Sequence, residues 1–147
     1  MADRIAQRLR YLEYLEAQRL RFNFPVEIAQ FAERVSKGVR NSTPPVDIWD
    51  RMARTARIVE LAREEFGPTT LTSAYRDRLY NLAESGVTDS RHVHNDALDF
   101  RCRTGTPDQW ARFLRGLREA GRFRGGVGVY RSWVHVDTRG SNADWTV

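Results

Sequence analysis

The segment GGVGVYRSWVHVD, residues 125–137, carries an alternation that constrains the fold. It reads as two short strands, GGVGVY and SWVHVD, joined by a tight turn near Arg131 and Ser132. Side chains alternate along a strand, so Trp133, His135 and Asp137 share one face while Val134 and Val136 take the other, the core side. A polar face backed by an apolar one is the pattern of a half-buried strand that lines a site. Glycines at 125, 126 and 128 let the backbone pass close to another element or to a ligand.

Upstream, helix and strand signals alternate. Residues 3–22 form an amphipathic pattern, with Ile5, Leu9, Leu12 and Leu15 on one face at spacings of three and four. A second helical stretch follows Pro25, with Val26, Ala29 and Val35 among its apolar positions. Together these make an N-terminal helical arm, residues 1–40, which either packs on the main body or offers a docking or oligomer surface. Residues 38–45, with Asn41, Ser42, Thr43, Pro44 and Pro45, are the best linker, separating the arm from a body over 45–140.

Within that body, a long helix runs from Val46 to Phe66, with Ile48, Met52, Val59, Ala62 and Phe66 facing inward, and Gly67 and Pro68 stop it. TTLTS at 69–73 is rich in β-branched residues and reads as a strand. A short helix around 76–84 is broken by Gly86, and ALDFRC at 97–102 reads as a second strand. Thr106, Pro107 and Gln109 combine an N-cap, a first-turn proline and a capping-box partner. They open a helix that buries Trp110, Phe113, Leu114 and Leu117 and ends at Gly121. From residue 139 the signals fade into an irregular tail, residues 141–147.

At 147 residues the chain is long enough to bury a core without disulfides. Its one cysteine, Cys102, excludes an internal disulfide and a cysteine-rich zinc cluster, and reads as a small buried strand residue. No apolar run approaches the roughly 20 residues that span a bilayer. The start, MADRIAQRLR, lacks a hydrophobic signal segment. The expectation is synthesis in the cytoplasm, with no membrane partner. The net charge of +5 rests on arginine, since Lys37 is the only lysine. Rows such as Arg51, Arg54, Arg57 and Arg112, Arg115, Arg118 put positive charge on helix surfaces. No helix-turn-helix or zinc-finger pattern accompanies them, so they read as solvated faces and nucleic acid is not the expected partner.

Three histidines remain: His92 and His94 in SRHVHNDALDF, and His135 in SWVHVD. A catalytic zinc takes three protein ligands and keeps one position open. His92, Asp99 and His135 would supply such a set. Alternation puts Asp99 on the face opposite Leu98 and Phe100, so two adjacent strands could present Asp99 and His135 to one ion, with His92 reaching in from the preceding loop. A competing grouping, His92, His94 and Asp96, begins the HxHxD pattern of metallo-β-lactamase-like hydrolases, but position 97 is alanine where that pattern continues with histidine. The remaining alternative is three ordinary surface or core histidines without a metal.

Three motifs in order, LTSAYRD (71–77), SRHVHNDALDF (90–100) and GGVGVYRSWVHVD (125–137), resemble the zinc D-alanyl-D-alanine carboxypeptidase family, whose fold is shared with the hedgehog signalling domain. The family pattern SxHxxGxAxD, followed by a histidine in a later strand, is matched by Ser90, His92, Ala97, Asp99 and His135. The similarity covers residues 45–140. It implies an α+β, hedgehog/DD-peptidase-like domain with a small antiparallel sheet flanked by helices, plus the N-terminal arm. It also implies zinc (Zn) as cofactor, held by His92, Asp99 and His135. Arg76 would hold the substrate near the reacting carbonyl, a role suited to paired guanidinium hydrogen bonds, with Ser73 and Tyr75 shaping the same wall.

Two positions depart from the pattern. Asn95 replaces a glycine, and asparagine tolerates a left-handed backbone. Ser132 stands where many members place the acidic general base, and serine cannot take a proton in the same way. Asp137, roughly 7 Å from His135 on the same strand face, is the nearest substitute, either as catalytic base or as a partner orienting His135. Glu84 and Asp89 are further candidates.

The function implied is a zinc-dependent peptidase hydrolysing peptidoglycan stem peptides or cross-bridges, with bacterial peptidoglycan as partner. Without a signal segment, a phage lysin or virion-associated enzyme is expected, acting on the wall after lysis or as part of a virion. The alternative is a non-catalytic structural or virion module that keeps the fold, self-associating or binding virion proteins through the N-terminal helices.

Overall fold

The computed structural model describes residues 2–84 and 86–147. Helices α1 (Ala2–Ala17), α2 (Phe24–Gln30), α3 (Trp49–Phe66), α4 (Arg78–Ala83) and α5 (Pro107–Glu119) are interspersed with strands. These are β1 (Val35–Ser36), β2 (Val39–Arg40), β3 (Thr69–Ser73), β4 (Ala97–Cys102), β5 (Gly126–Val129), β6 (Val134–Asp137) and β7 (Ala143–Thr146). β1 and β2 pair in a small hairpin, and the main sheet has the order β3-β4-β6-β5-β7. Its pairings are antiparallel except β5 with β7, which run parallel. The architecture is the α+β arrangement expected.

One face of the sheet is apolar and covered. Leu98 and Phe100 of β4, Val127 of β5, and Val134 and Val136 of β6 are fully buried, beneath Met52, Ala56 and Val59 of α3 and Trp110 and Leu114 of α5. Burying each of the larger apolar side chains stabilises the fold by roughly 1.5–3 kcal/mol. The two helices are set by local chemistry. Thr106 accepts from the Gln109 N–H while the Gln109 side chain accepts from the Thr106 N–H, closing the capping box. Gly67, at φ +83°, ends α3 with its N–H on the Arg63 carbonyl.

The other face is polar, and register aligns it. Ser73 lies opposite Asp99, Asp99 opposite His135, His135 opposite Gly128, and Gly128 opposite Trp145. One row of five residues thus crosses the main sheet from β3 to β7.

Several expectations are corrected. Residues 141–147 are no irregular tail: β7 pairs with β5, and Arg118 and Arg115 bond Asp144 to hold it. Residues 38–45 are no loose linker either. Asn41 is buried, donates from Nδ2 to the carbonyls of Phe31 and Tyr75, and accepts from the Asp77 N–H through Oδ1, which stitches the arm to the body. The arm itself enters the common core through Tyr11, Leu15, Leu20, Phe24 and Ile28. Its buried stripe is only partly the one expected: Leu15 is buried and Leu12 packs against the core, but Ile5 and Leu9 stay 45% exposed, and Tyr11 takes their place by packing on Trp49 with ring centroids 5.2 Å apart. Val35 leaves the helical stretch for β1, and Val46 falls in a 3-10 turn, exposed, ahead of α3.

Candidate metal centre

Local structure delivers each member of the cluster. Ser90 caps a 3-10 turn at Arg91–His94 by accepting from the His92 N–H, and Asn95 ends it in the left-handed region at φ 59°, as its replacement of glycine allows. That turn aims His92 at β4. Asp99 and His135 then face it from neighbouring strands. Ligand atoms of all three lie within 4.8 Å of one another, and all three residues are buried. His92 Nε2 is 3.1 Å and His135 Nδ1 2.9 Å from Asp99 Oδ1.

The donor set fits zinc. Atoms bound tetrahedrally at about 2.0–2.1 Å lie roughly 3.3 Å apart, close to these separations. The distal nitrogens are also committed. His92 Nδ1 donates to the Ala74 carbonyl at 2.7 Å, and His135 Nε2 meets Asp137 Oδ2 at 2.8 Å. Such partners fix the tautomer that leaves His92 Nε2 and His135 Nδ1 as lone-pair donors toward one point.

Charge reinforces the cluster. When no ion lies between them the same nitrogens turn protons toward Asp99: burial pushes its carboxyl up, but the interactions with His92 and His135 outweigh this and hold Asp99 below the usual carboxylate range. Burial pushes His135 down, yet its bonds to Asp137 and Asp99 win, and its pKa is pushed up to about 8. Asp137 is completely buried and held well below the ordinary carboxylate range, chiefly because Arg139 and His135 bond it against the cost of burial. Arg139 grips both Asp137 oxygens at 2.9 and 2.7 Å, and the Gly126 N–H donates to Oδ1 at 2.9 Å.

A cavity of about 620 Å³ opens over the cluster, lined by Arg76, Glu84, Asp89, Arg91, Tyr130, Trp133 and Trp145 together with His92, Asp99 and His135. Arg76 is anchored by Nε on Ser73 Oγ at 3.1 Å and by Nη1 on Asn81 at 3.4 Å. Ser73 therefore supports this wall. Tyr75 does not: it lines a separate groove with Pro45, Ile48 and Val93. His94 pairs outside with the exposed Asp89 at 2.8 Å, and Asp96 is tied to Arg91, so the HxHxD grouping does not assemble. Ser132 is exposed in the β5–β6 turn.

The sequence reading missed Arg139, Tyr130 and Trp145 as parts of the site. Only the glycines hinted at Trp145. A Cβ on Gly128 would lie 2.4 Å from its indole, so the close approach that Gly128 permits is that of this ring, which packs 5.0 Å from the His135 ring.

The peptidase M15 family model matches residues 7–137, and the chain belongs to that family. The match includes most of the arm, which the motif resemblance left aside. No curated protein and no solved structure matches the chain. The family implies hydrolase activity, and the buried His-Asp-His cluster is compatible with its metal. Among the described residues no helix is long and apolar enough to cross a membrane.

Proposed function

We propose that the chain is a zinc-dependent peptidase of peptidoglycan stem peptides or cross-bridges, with His92, Asp99 and His135 as the metal ligands. The observation that carries this reading is the convergence of His92 Nε2, Asp99 Oδ1 and His135 Nδ1 at the floor of an open cavity, in a chain of the M15 family. Bound zinc would polarise the scissile carbonyl and lower the pKa of water. Arg76 enters the cavity with its guanidinium pre-set by Ser73 and Asn81, suited to holding a substrate carboxylate or carbonyl.

Asp137 is the orienting partner of His135 in this reading. With Arg139 and Gly126 occupying its oxygens, and no exposure, it has no path to a substrate proton. Proton transfer falls instead to the carboxylates that line the cavity beside the cluster, Glu84 and Asp89. Glu84 is steadied by bonds from Ser36 at 2.8 Å and Tyr80 at 3.3 Å, whereas Asp89 is fully exposed and engaged with His94. Delivery to the wall by lysis or as part of a virion belongs to the same proposal.

The test begins with zinc per chain by elemental analysis after identical dialysis of wild type, His92→Ala and His135→Ala. About one zinc in the wild type, lost in both variants, is expected. Purified protein on bacterial sacculi should then release new amines, and Glu84→Gln should lower kcat by about 100-fold or more. Bound zinc with no release at any pH would instead favour a structural module, the reading that Ser132 supports by removing the acid found there in many members.

A further inference from the structure

Part of the cavity lining is aromatic, and the peptidase chemistry above does not use it. Tyr130 and Trp133 stack nearly parallel, with ring centroids 4.8 Å apart and planes 10° apart. Trp145 extends the wall toward the metal cluster: its Nε1 donates to Tyr130 Oη at 3.1 Å and its ring lies 5.0 Å from that of His135. All three rings are half-buried, so each keeps surface open to the cavity. Arg139 lies 5.7 Å from the Trp145 ring on its side of the cleft.

This wall is built at some cost to the sheet. Gly128 occupies a central position between β6 and β7, where a side chain would add packing. Its missing Cβ is what lets the indole lie across β5 to reach His135, since a Cβ there would fall 2.4–2.7 Å from three atoms of that ring. Each ring is held by a neighbour before any ligand arrives, so binding would require little further ordering. A rigid, half-exposed aromatic surface beside a polar cleft suits a ligand with an apolar C–H face and a hydroxylated rim. A pyranose ring has that shape. The stem peptides of the proposed substrate have small or charged side chains and give such a wall little to hold, whereas their glycan strand supplies sugar rings next to the peptide.

We propose that Tyr130, Trp133 and Trp145 form a saccharide-stacking subsite, so that the chain selects stem peptides still attached to glycan. The proposal rests on the peptidase reading for its substrate, but its binding half stands apart from it. Trp133, stacked on Tyr130 at the cavity edge, is the residue to change, because Trp145 also packs on the metal cluster.

The experiment compares wild type, Trp133→Ala and Trp133→Phe on a free stem peptide and on the same peptide linked to its N-acetylglucosamine–N-acetylmuramic acid disaccharide. Zinc content is measured in each protein. In parallel, metal-free protein is titrated with an N-acetylglucosamine oligomer and followed by tryptophan fluorescence. Trp133→Ala should lower the kcat/KM ratio of linked over free peptide by about tenfold, mainly through KM, with Trp133→Phe keeping most of it and zinc content equal in all three. Equal losses on both peptides, or no preference for the linked peptide in the wild type, would overturn the subsite. A fluorescence titration that saturates in the wild type and is weakened by Trp133→Ala, with neither peptide cleaved, would sink the peptidase reading and leave the saccharide site standing. A flat titration with linked and free peptide cleaved alike would do the reverse.

Discussion

Replacing Gly128 with alanine puts a methyl group where the Trp145 indole lies, 2.4 Å from Cε2, 2.5 Å from Nε1 and 2.7 Å from Cζ2. Two opposed effects follow. Alanine restricts the unfolded chain and, where it fits, stabilises by about 0.4–1 kcal/mol. Gly128 is outside the left-handed region, so its backbone accepts alanine. The clash works the other way, because the indole is fixed between Tyr130 and His135, and overpacking of this kind costs about 1–3 kcal/mol. The clash should win, leaving Gly128→Ala less stable by roughly 1–2 kcal/mol, or about 2–8 °C in Tm for a chain of this length. Removing the indole should reverse the sign. In a Trp145→Ala background, Gly128→Ala should stabilise by about 0.4–1 kcal/mol. Urea unfolding of the four proteins reads out the cycle, and the expected coupling of about 2 kcal/mol exceeds the usual 0.3–0.5 kcal/mol scatter of independent sites. Equal costs in both backgrounds would refute the reasoning, because the penalty would then not come from the ring.

Asp137→Asn should weaken zinc binding by about 10–100-fold while the protein still folds, measured by competition with a chelating dye, because His135 loses the carboxylate that orients it. Asn41→Ala leaves the Phe31 and Tyr75 carbonyls and the Asp77 N–H without their partner, and should cost about 2–4 kcal/mol in urea unfolding; a loss under about 1 kcal/mol would show that the arm is held by packing alone. Asp144 is held below its ordinary 3.8 by hydrogen bonds from Arg118 and Arg115, so its contribution to β7 is complete above that pH and is lost as pH falls through the lowered value. The stability gap between wild type and Asp144→Asn should therefore narrow as pH falls below 3.8, and a gap that does not change with acidification would contradict the pairing. Thr106→Ala should cost about 0.5–2 kcal/mol by opening the α5 capping box, followed by thermal unfolding.

Much of the fold was legible where the signal is local. The period-two alternation around Asp99 and His135, the Gly67–Pro68 stop and the Thr106 capping box each act within a few residues, and each gave the type of element read there, although α3 and β6 start later than read, at Trp49 and Val134. The His92, Asp99 and His135 grouping was legible because motif and strand face agreed. What stayed hidden depends on partners far along the chain. ADWT becomes a strand through a parallel pairing with β5, and four residues in which half-buried Ala143 and Trp145 alternate with exposed Asp144 and Thr146 are too short a signal to announce it. The 38–45 stretch has linker composition, yet one buried asparagine with three backbone partners makes it a brace, and nothing beside Asn41 announces those partners. In α1 the expected stripe is buried only at its C-terminal end, at Leu12 and Leu15, and contact with Trp49 brings in Tyr11 in place of Ile5 and Leu9.

The row Ser73, Asp99, His135, Gly128, Trp145 takes one residue from each strand of the main sheet. A slip of one residue in any strand turns its member to the opposite face. A ligand that needs Asp99 and His135 together, with Trp145 beside them, would therefore be bound only by chains in which β4, β6, β5 and β7 are paired in this register. Binding such a ligand would stabilise the correctly paired sheet over misaligned ones.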